Sequence, residues 1–123
     1  MSIEKGTKTS YDVGVGAEKT ACDFLIAKGY KILFQRYKTK FGEIDIIAQK
    51  NKVICFVEVK IRKTAHEALE SVTPRSQKRI QNTALFFLSQ NPKYESFDLR
   101  FDVIAMTSPF DILHLDNAWE ASS

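Results

Sequence analysis

Gly42-Glu43-Ile44-Asp45-Ile46-Ile47-Ala48-Gln49, then Lys50-Asn51-Lys52, then Val53-Ile54-Cys55-Phe56-Val57-Glu58-Val59-Lys60-Ile61-Arg62 is the stretch that decides the fold. Both flanking segments are rich in β-branched residues, and the three polar residues between them suit a tight turn. The pair therefore reads as a hairpin, with strands at 43–49 and 53–62. Val53, Cys55, Val57, Val59 and Ile61 fall on one face by the two-residue period of a strand. Ile54-Cys55-Phe56-Val57 is apolar on both faces, which predicts a central strand in a covered sheet. Toward the N-terminus, 30–37 reads as a strand followed by a basic turn at 38–40. Residues 12–28 read as a helix with Ala17, Ala21, Cys22, Phe24, Leu25 and Ile26 in an apolar arc and Gly29 as its stop. Toward the C-terminus, 63–72 reads as an irregular loop. Thr73-Pro74 opens a second helix, Ile80, Ala84, Phe87 and Leu88 give it a buried stripe, and Asn91-Pro92 ends it. Strands follow at 99–106 and, shorter, at 111–115. The expected fold is α/β, a mixed sheet of about five strands flanked by helices.

The 123 residues fit one domain, 1–123, because domains cluster at roughly 100–150 residues. With 44% hydrophobic and 27% charged residues the composition is that of an ordinary globular protein. No apolar run reaches the roughly 20 residues of a membrane span, and Met1–Gly6 lacks the apolar stretch of a signal peptide, so no membrane partner and a cytoplasmic location are expected. Two cysteines are too few for a disulfide framework or a four-cysteine zinc site. Cys22 and Cys55 are expected as reduced core residues. The formal charge is only +3, but it is unevenly placed. Lys28 to Lys63 holds ten bases and three acids, a local net of +7, whereas Tyr94 to Ser123 carries a net of −5. A basic segment beside an acidic tail is what one polyanion-facing surface would require.

The three acids in the basic segment are Glu43, Asp45 and Glu58. Residues two apart on a strand share a face, so Glu43 pairs with Asp45 and Glu58 with Lys60, and the hairpin sets the two strands side by side. Isolated charges between apolar neighbours are costly. A divalent metal relieves clustered carboxylates, and an oxygen-only ligand set suits Mg²⁺ or Mn²⁺. Such a site fits metal-assisted phosphodiester hydrolysis, in which Lys60 orients water or balances developing charge. Glu18 lies in the apolar arc of the first helix and needs a partner, for which the metal site or Lys60 is the candidate. The competing interpretation is a cross-strand salt bridge of Asp45 or Glu58 with Lys60.

The blocks GEIDII at 42–47, FVEVK at 56–60, SVT at 71–73 and RFDVIA at 100–105 make the chain similar to the YraN-type bacterial family. That family resembles archaeal Holliday junction resolvases of the restriction-endonuclease-like PD-(D/E)xK superfamily. The resemblance runs from about Gly14 to Trp119. It implies a restriction-endonuclease-like fold and Mg²⁺- or Mn²⁺-dependent cleavage of branched or otherwise structured DNA. Residue by residue, Glu18 matches the first-helix Glu, Asp45 the motif Asp, and Glu58 with Lys60 the Glu-x-Lys. The metal would be held by Asp45, Glu58 and the main-chain carbonyl of Val59. Arg62, Lys63, Arg75, Gln77, Lys78 and Arg79 are the expected nucleic-acid contacts. Symmetric cutting of two strands would call for a homodimer. The alternative is a non-catalytic nucleic-acid-binding module of a DNA-processing complex. Arg100 is expected to pair with an acid such as Glu43, His114 to be structural, and Trp119 to pack the tail.

Overall fold

The structure is a computed structural model, and residues 10–121 are described; the expectation for Met1–Gly6 lies outside them. Helix α1 (Ser10–Ala27) is followed by β1 (Lys31–Thr39), β2 (Gly42–Lys50) and β3 (Val53–Ile61). Helices α2 (Ala65–Glu70) and α3 (Pro74–Gln90) and a short 3₁₀ turn at Pro92–Tyr94 come next, then β4 (Asp98–Ser108) and β5 (Asp111–Trp119). The five strands form one sheet in the order β1-β2-β3-β4-β5. Pairing is antiparallel except between β3 and β4, which run parallel. A parallel neighbour needs a crossover, and α2 with α3 supplies it.

The sequence explains the helix ends. Gly29 sits at φ 94, its N–H donates to the Ile26 carbonyl, and the Tyr30 N–H donates to Leu25, which closes α1 with a left-handed glycine cap. Thr73 caps α3 by accepting from the Ser76 N–H, with Pro74 in the first turn. The apolar face of α1 buries Ala17, Ala21, Cys22 and Leu25 against Ile46, Cys55, Val57 and Ile104. On the other side α3 buries Ile80, Ala84 and Phe87 against Ile47, Ile54, Phe56 and Val103. Strand β3 lies between the two layers and is buried from Ile54 to Glu58, as its two-sided apolar run predicts. Cys22 and Cys55 are buried and unpaired with each other. Among the described residues no helix is long and apolar enough to cross a membrane.

Five details depart from the sequence reading. Strand β1 runs on through Lys38 and Thr39, which pair with Glu43 and Gly42, so the turn expected at 38–40 falls at Lys40 and Phe41. Within 63–72 a short helix, α2, forms with Thr64 as its cap, accepting from the Glu67 N–H at 3.0 Å. Strand β5 runs on to Trp119, whose ring stacks on Phe101 with centroids 5.2 Å apart. Ile26 lies 55% exposed and so falls outside the buried arc of α1. Arg100 does not meet Glu43. Its guanidinium donates to both oxygens of Asp102, at 2.9 and 2.8 Å, and to the Tyr30 hydroxyl. Asp102 is fully buried and also holds His114 Nε2 at 2.8 Å, so both Asp102 and His114 belong to a structural network.

Candidate metal centre

The ladder between β2 and β3 ends at the pair Ile46↔Val57, while β3 continues beside β4 as far as Ile61↔Met106. Asp45 and Glu58 are the next residues on their strands, so they stand where the strands fork. Their carboxylates take over the hydrogen bonds that the ladder drops. The Val59 N–H donates to Asp45 Oδ2 at 2.8 Å, and the Asp45 N–H makes a long 3.5 Å contact to Glu58 Oε2. In an extended strand a residue's N–H and C=O point to the same side, so the Val59 carbonyl also faces the fork.

The fork coincides with an irregularity in the sheet. Ile44 packs in the α3-side core and Ile46 in the α1-side core, although residues two apart normally share a face. The pleat therefore slips at Asp45. Across from it, Arg36 has φ 53, set by the flanking pairs Gln35↔Ile46 and Tyr37↔Ile44. A non-glycine residue in this left-handed conformation inside a strand is strained by roughly 1–3 kcal/mol. Arg36 Nη1 donates to Glu18 Oε1 at 3.2 Å. Arg36 is thus the partner of Glu18, in place of Lys60.

The acids at the fork are short of positive charge. Glu58 is only 8% exposed. Burial, and then the neighbouring Asp45 charge, push its carboxyl up to about 8, against the pull of Lys60. Burial also raises Asp45, opposed by the hydrogen bond from Val59 and by the charge of Lys60. Glu18 is raised by burial and by Asp45, and its ion pair with Arg36 only partly offsets this. Asp45 thus links the other two carboxylates electrostatically. Among the described residues Lys60 makes no ion pair within 4.0 Å of Asp45 or Glu58, so the cross-strand salt bridge is not formed. Nor do three His, Cys, Asp or Glu side chains among those residues gather closely enough to hold a metal ion by themselves. The fork offers two carboxylates and one carbonyl. Mg²⁺ commonly takes one or two protein carboxylates and completes its shell with water and substrate phosphate, so this donor set fits.

The other expected residues lie on β2, directly after β3 and on α3. Glu43 is exposed, 3.9 Å from Lys38. Arg62 and Lys63 follow β3 directly and are exposed, and Arg62 Nη1 donates to the Ile61 carbonyl. Arg75, Lys78 and Arg79 are exposed on the first turns of α3. Gln77 is half-buried, and its amide donates to the Val72 carbonyl at 3.0 Å, closing the turn into α3. His66 pairs with Glu70 on the exposed side of α2. A cavity of about 320 Å³ lies elsewhere, between α3 and the ends of β4 and β5, and none of the predicted site residues lines it. Arg36 is the member of the site that the sequence reading missed. A lone arginine in a strand carries no local signal of its partner.

A family model described as an uncharacterised protein family, UPF0102, matches residues 17–106. A UPF0102 protein of Rhodopseudomonas palustris strain BisB5 is 44% identical over 113 residues, covering 92% of this chain and 86% of that protein. One from Nitrobacter winogradskyi is 40% identical over 114 residues, covering 93% and 97% respectively. A third, from Bradyrhizobium diazoefficiens, is 41% identical over 114 residues, covering 93% and 86%. The matched span contains all four residues of the motif set, Glu18, Asp45, Glu58 and Lys60.

Proposed function

The chain belongs to UPF0102, the YraN-type family, and from that premise we propose that it is a divalent-metal-dependent endonuclease acting on branched or otherwise structured DNA. The observation that carries the reading is the pair of carboxylates at the strand fork. Asp45 and Glu58 are both raised, Glu58 is buried, and among the described residues Lys60 makes no ion pair within 4.0 Å of either. Such a pair is poorly solvated as two anions and favours the arrival of positive charge. The resemblance of GEID and VEVK to the resolvase motifs supports the same assignment.

In this reading Asp45, Glu58 and the Val59 carbonyl hold Mg²⁺ or Mn²⁺. When bound there, a divalent ion would supply charge neutralisation at the phosphate and would acidify water. The Val59 N–H fixes Asp45, leaving one carboxylate edge to the ligand. Among the described residues Lys60 makes no ion pair within 4.0 Å, so its ammonium stays available to orient the attacking water and to balance charge on the phosphodiester. Glu18, held by Arg36, adds negative charge beside Asp45 and steadies the water shell of the site. Arg62, Lys63, Arg75, Lys78 and Arg79 receive flanking phosphates, with Gln77 holding the turn that presents them. Paired cuts across a junction call for a two-fold dimer.

The test is a cleavage assay on four-way-junction and linear DNA with Mg²⁺, Mn²⁺ or EDTA. The expected result is metal-dependent cleavage that Asp45→Asn and Glu58→Gln abolish. Cleavage in EDTA, or cleavage unchanged in both variants, would refute the proposal. Salt-sensitive DNA binding without cleavage would move the conclusion to a non-catalytic nucleic-acid-binding module.

A further inference from the structure

The hairpin joining β1 to β2 has a tip that turn geometry does not explain. Thr39 pairs with Gly42, so Lys40 and Phe41 alone form the loop. Two-residue hairpin loops favour Asn-Gly or a similar pair, because their central residues usually need positive φ. Neither Lys40 nor Phe41 has one, and Gly42 at φ 152 absorbs the irregularity instead. Both loop side chains are exposed, and Phe41 keeps 41% of its surface in water.

The tip is also held rigidly. Thr39 Oγ1 accepts from the Phe41 N–H at 3.0 Å and donates to the Gly42 carbonyl at 3.2 Å. The Phe41 ring meets Phe86 of α3 at a tilt of 52°, with centroids 5.7 Å apart. Lys40 Nζ lies 5.4 Å from the centre of the same ring. A Cβ placed on Gly42 would lie 3.6 Å from Arg79 Cβ, so the tip sits against the first turns of α3. There Arg79 joins Lys78 and Arg75, one turn away on the helix. Lys40 and Arg79 thus flank an exposed aromatic ring, and Lys38, Arg75 and Lys78 are further exposed bases on the same two elements, Lys38 being 3.9 Å from Glu43. The tip is four residues from Asp45, ~13 Å along an extended strand.

We infer that this tip is a binding element for a single nucleic-acid strand, with Lys40 and Arg79 on phosphates and Phe41 as a stacking platform for one base. It rests on the nucleic-acid partner proposed above and adds a contact not predicted from the motifs. Its chemistry is that of sequence-tolerant single-strand binding, which pairs a cationic track with aromatic stacking.

The test is fluorescence anisotropy with 5′-labelled single-stranded DNA and a four-way junction across a salt series in EDTA, where no cleavage interferes. Phe41→Ala is expected to weaken single-strand binding by about tenfold with the salt slope unchanged. Phe41→Trp should restore it. Phe41→Leu, which keeps an apolar contact with Phe86, should not. Lys40→Ala should reduce the slope of log affinity against log salt by about 0.7. Thermal unfolding verifies that each variant is folded. Wild-type binding by Phe41→Ala and Lys40→Ala, full rescue by Phe41→Leu, or no binding by the wild-type protein would overturn the inference. If the variants bind as expected but the wild-type protein does not cleave with Mg²⁺, the nuclease reading fails and this one stands. Metal-dependent cleavage alongside unaltered binding by the variants gives the reverse.

Discussion

Glu58→Gln should make the protein more stable at alkaline pH while removing its response to metal. In the fold the Glu58 carboxyl rises from 4.5 to about 8, chiefly through burial and then through the Asp45 charge. A group with a raised folded pKa binds its proton more tightly in the native state. Its contribution to stability is therefore fully present below about 4.5 and is lost as pH rises through about 8. Each tenfold change in proton affinity is worth about 1.4 kcal/mol, which bounds the loss at about 5 kcal/mol. Glutamine still offers an oxygen to the Asp45 N–H, but burying its amide NH₂ takes back about 1–3 kcal/mol. A net gain of about 2–4 kcal/mol at pH 8.5 corresponds to a rise of about 8–16 °C in Tm for a chain of this size. At pH 5 the wild-type carboxyl is mostly protonated, so only the amide cost remains and the substitution should destabilise by about 1–3 kcal/mol. Asp45 and Glu18 are raised as well, so their contributions to wild-type stability also fall as pH rises. The assay is thermal unfolding followed by circular dichroism in EDTA at both pH values, repeated with Mn²⁺. Metal should raise the wild-type Tm and leave Glu58→Gln unmoved. A variant less stable than the wild type at pH 8.5, or an equal difference at pH 5 and 8.5, would refute the reasoning.

Three further substitutions separate the site from the scaffold. Lys60→Met removes no ion pair among the described residues, so urea unfolding at pH 6 should change by less than about 1 kcal/mol while cleavage is lost. Asp102→Asn takes a buried charge from Arg100, His114 and the Asn117 N–H. It should lower unfolding free energy by about 3–5 kcal/mol, because Arg100 keeps its charge without its partner. Gly42→Ala puts a methyl group 3.1 Å from Thr83 Oγ1 at φ 152, and denaturant titration should show a loss of about 1–3 kcal/mol.

The β2–β3 hairpin, the central place of β3, and helices α1 and α3 were legible because burial imposes a strict period and the caps use specific residues. Helix α2 was overlooked because it buries only Ala68, too little for an apolar pattern. Its signal was the spacing Thr64-x-x-Glu67, a capping-box pair in the sequence. The end of β5 was missed because Asp116 and Asn117 have low strand propensity, and Asn117 takes φ 52 within the strand. Arg100 and Asp102 stand two apart on β4, so their shared face was readable. The choice between Asp102 and Glu43 depended on tertiary distance. The composition of the candidate site was visible as motif and spacing. Its form was not, because the slip of the pleat at Asp45, the left-handed Arg36 and the early end of the ladder arise from contacts between strands.

Calorimetric titration of Mn²⁺ into the metal-free protein tests the central claim most directly. One site should appear in the wild-type protein, weakened at least tenfold in Asp45→Asn and absent in the Asp45→Asn, Glu58→Gln double variant, all three being folded by circular dichroism. No binding by the wild-type protein, or the same binding in the double variant, would contradict a metal centre at the fork of β2 and β3.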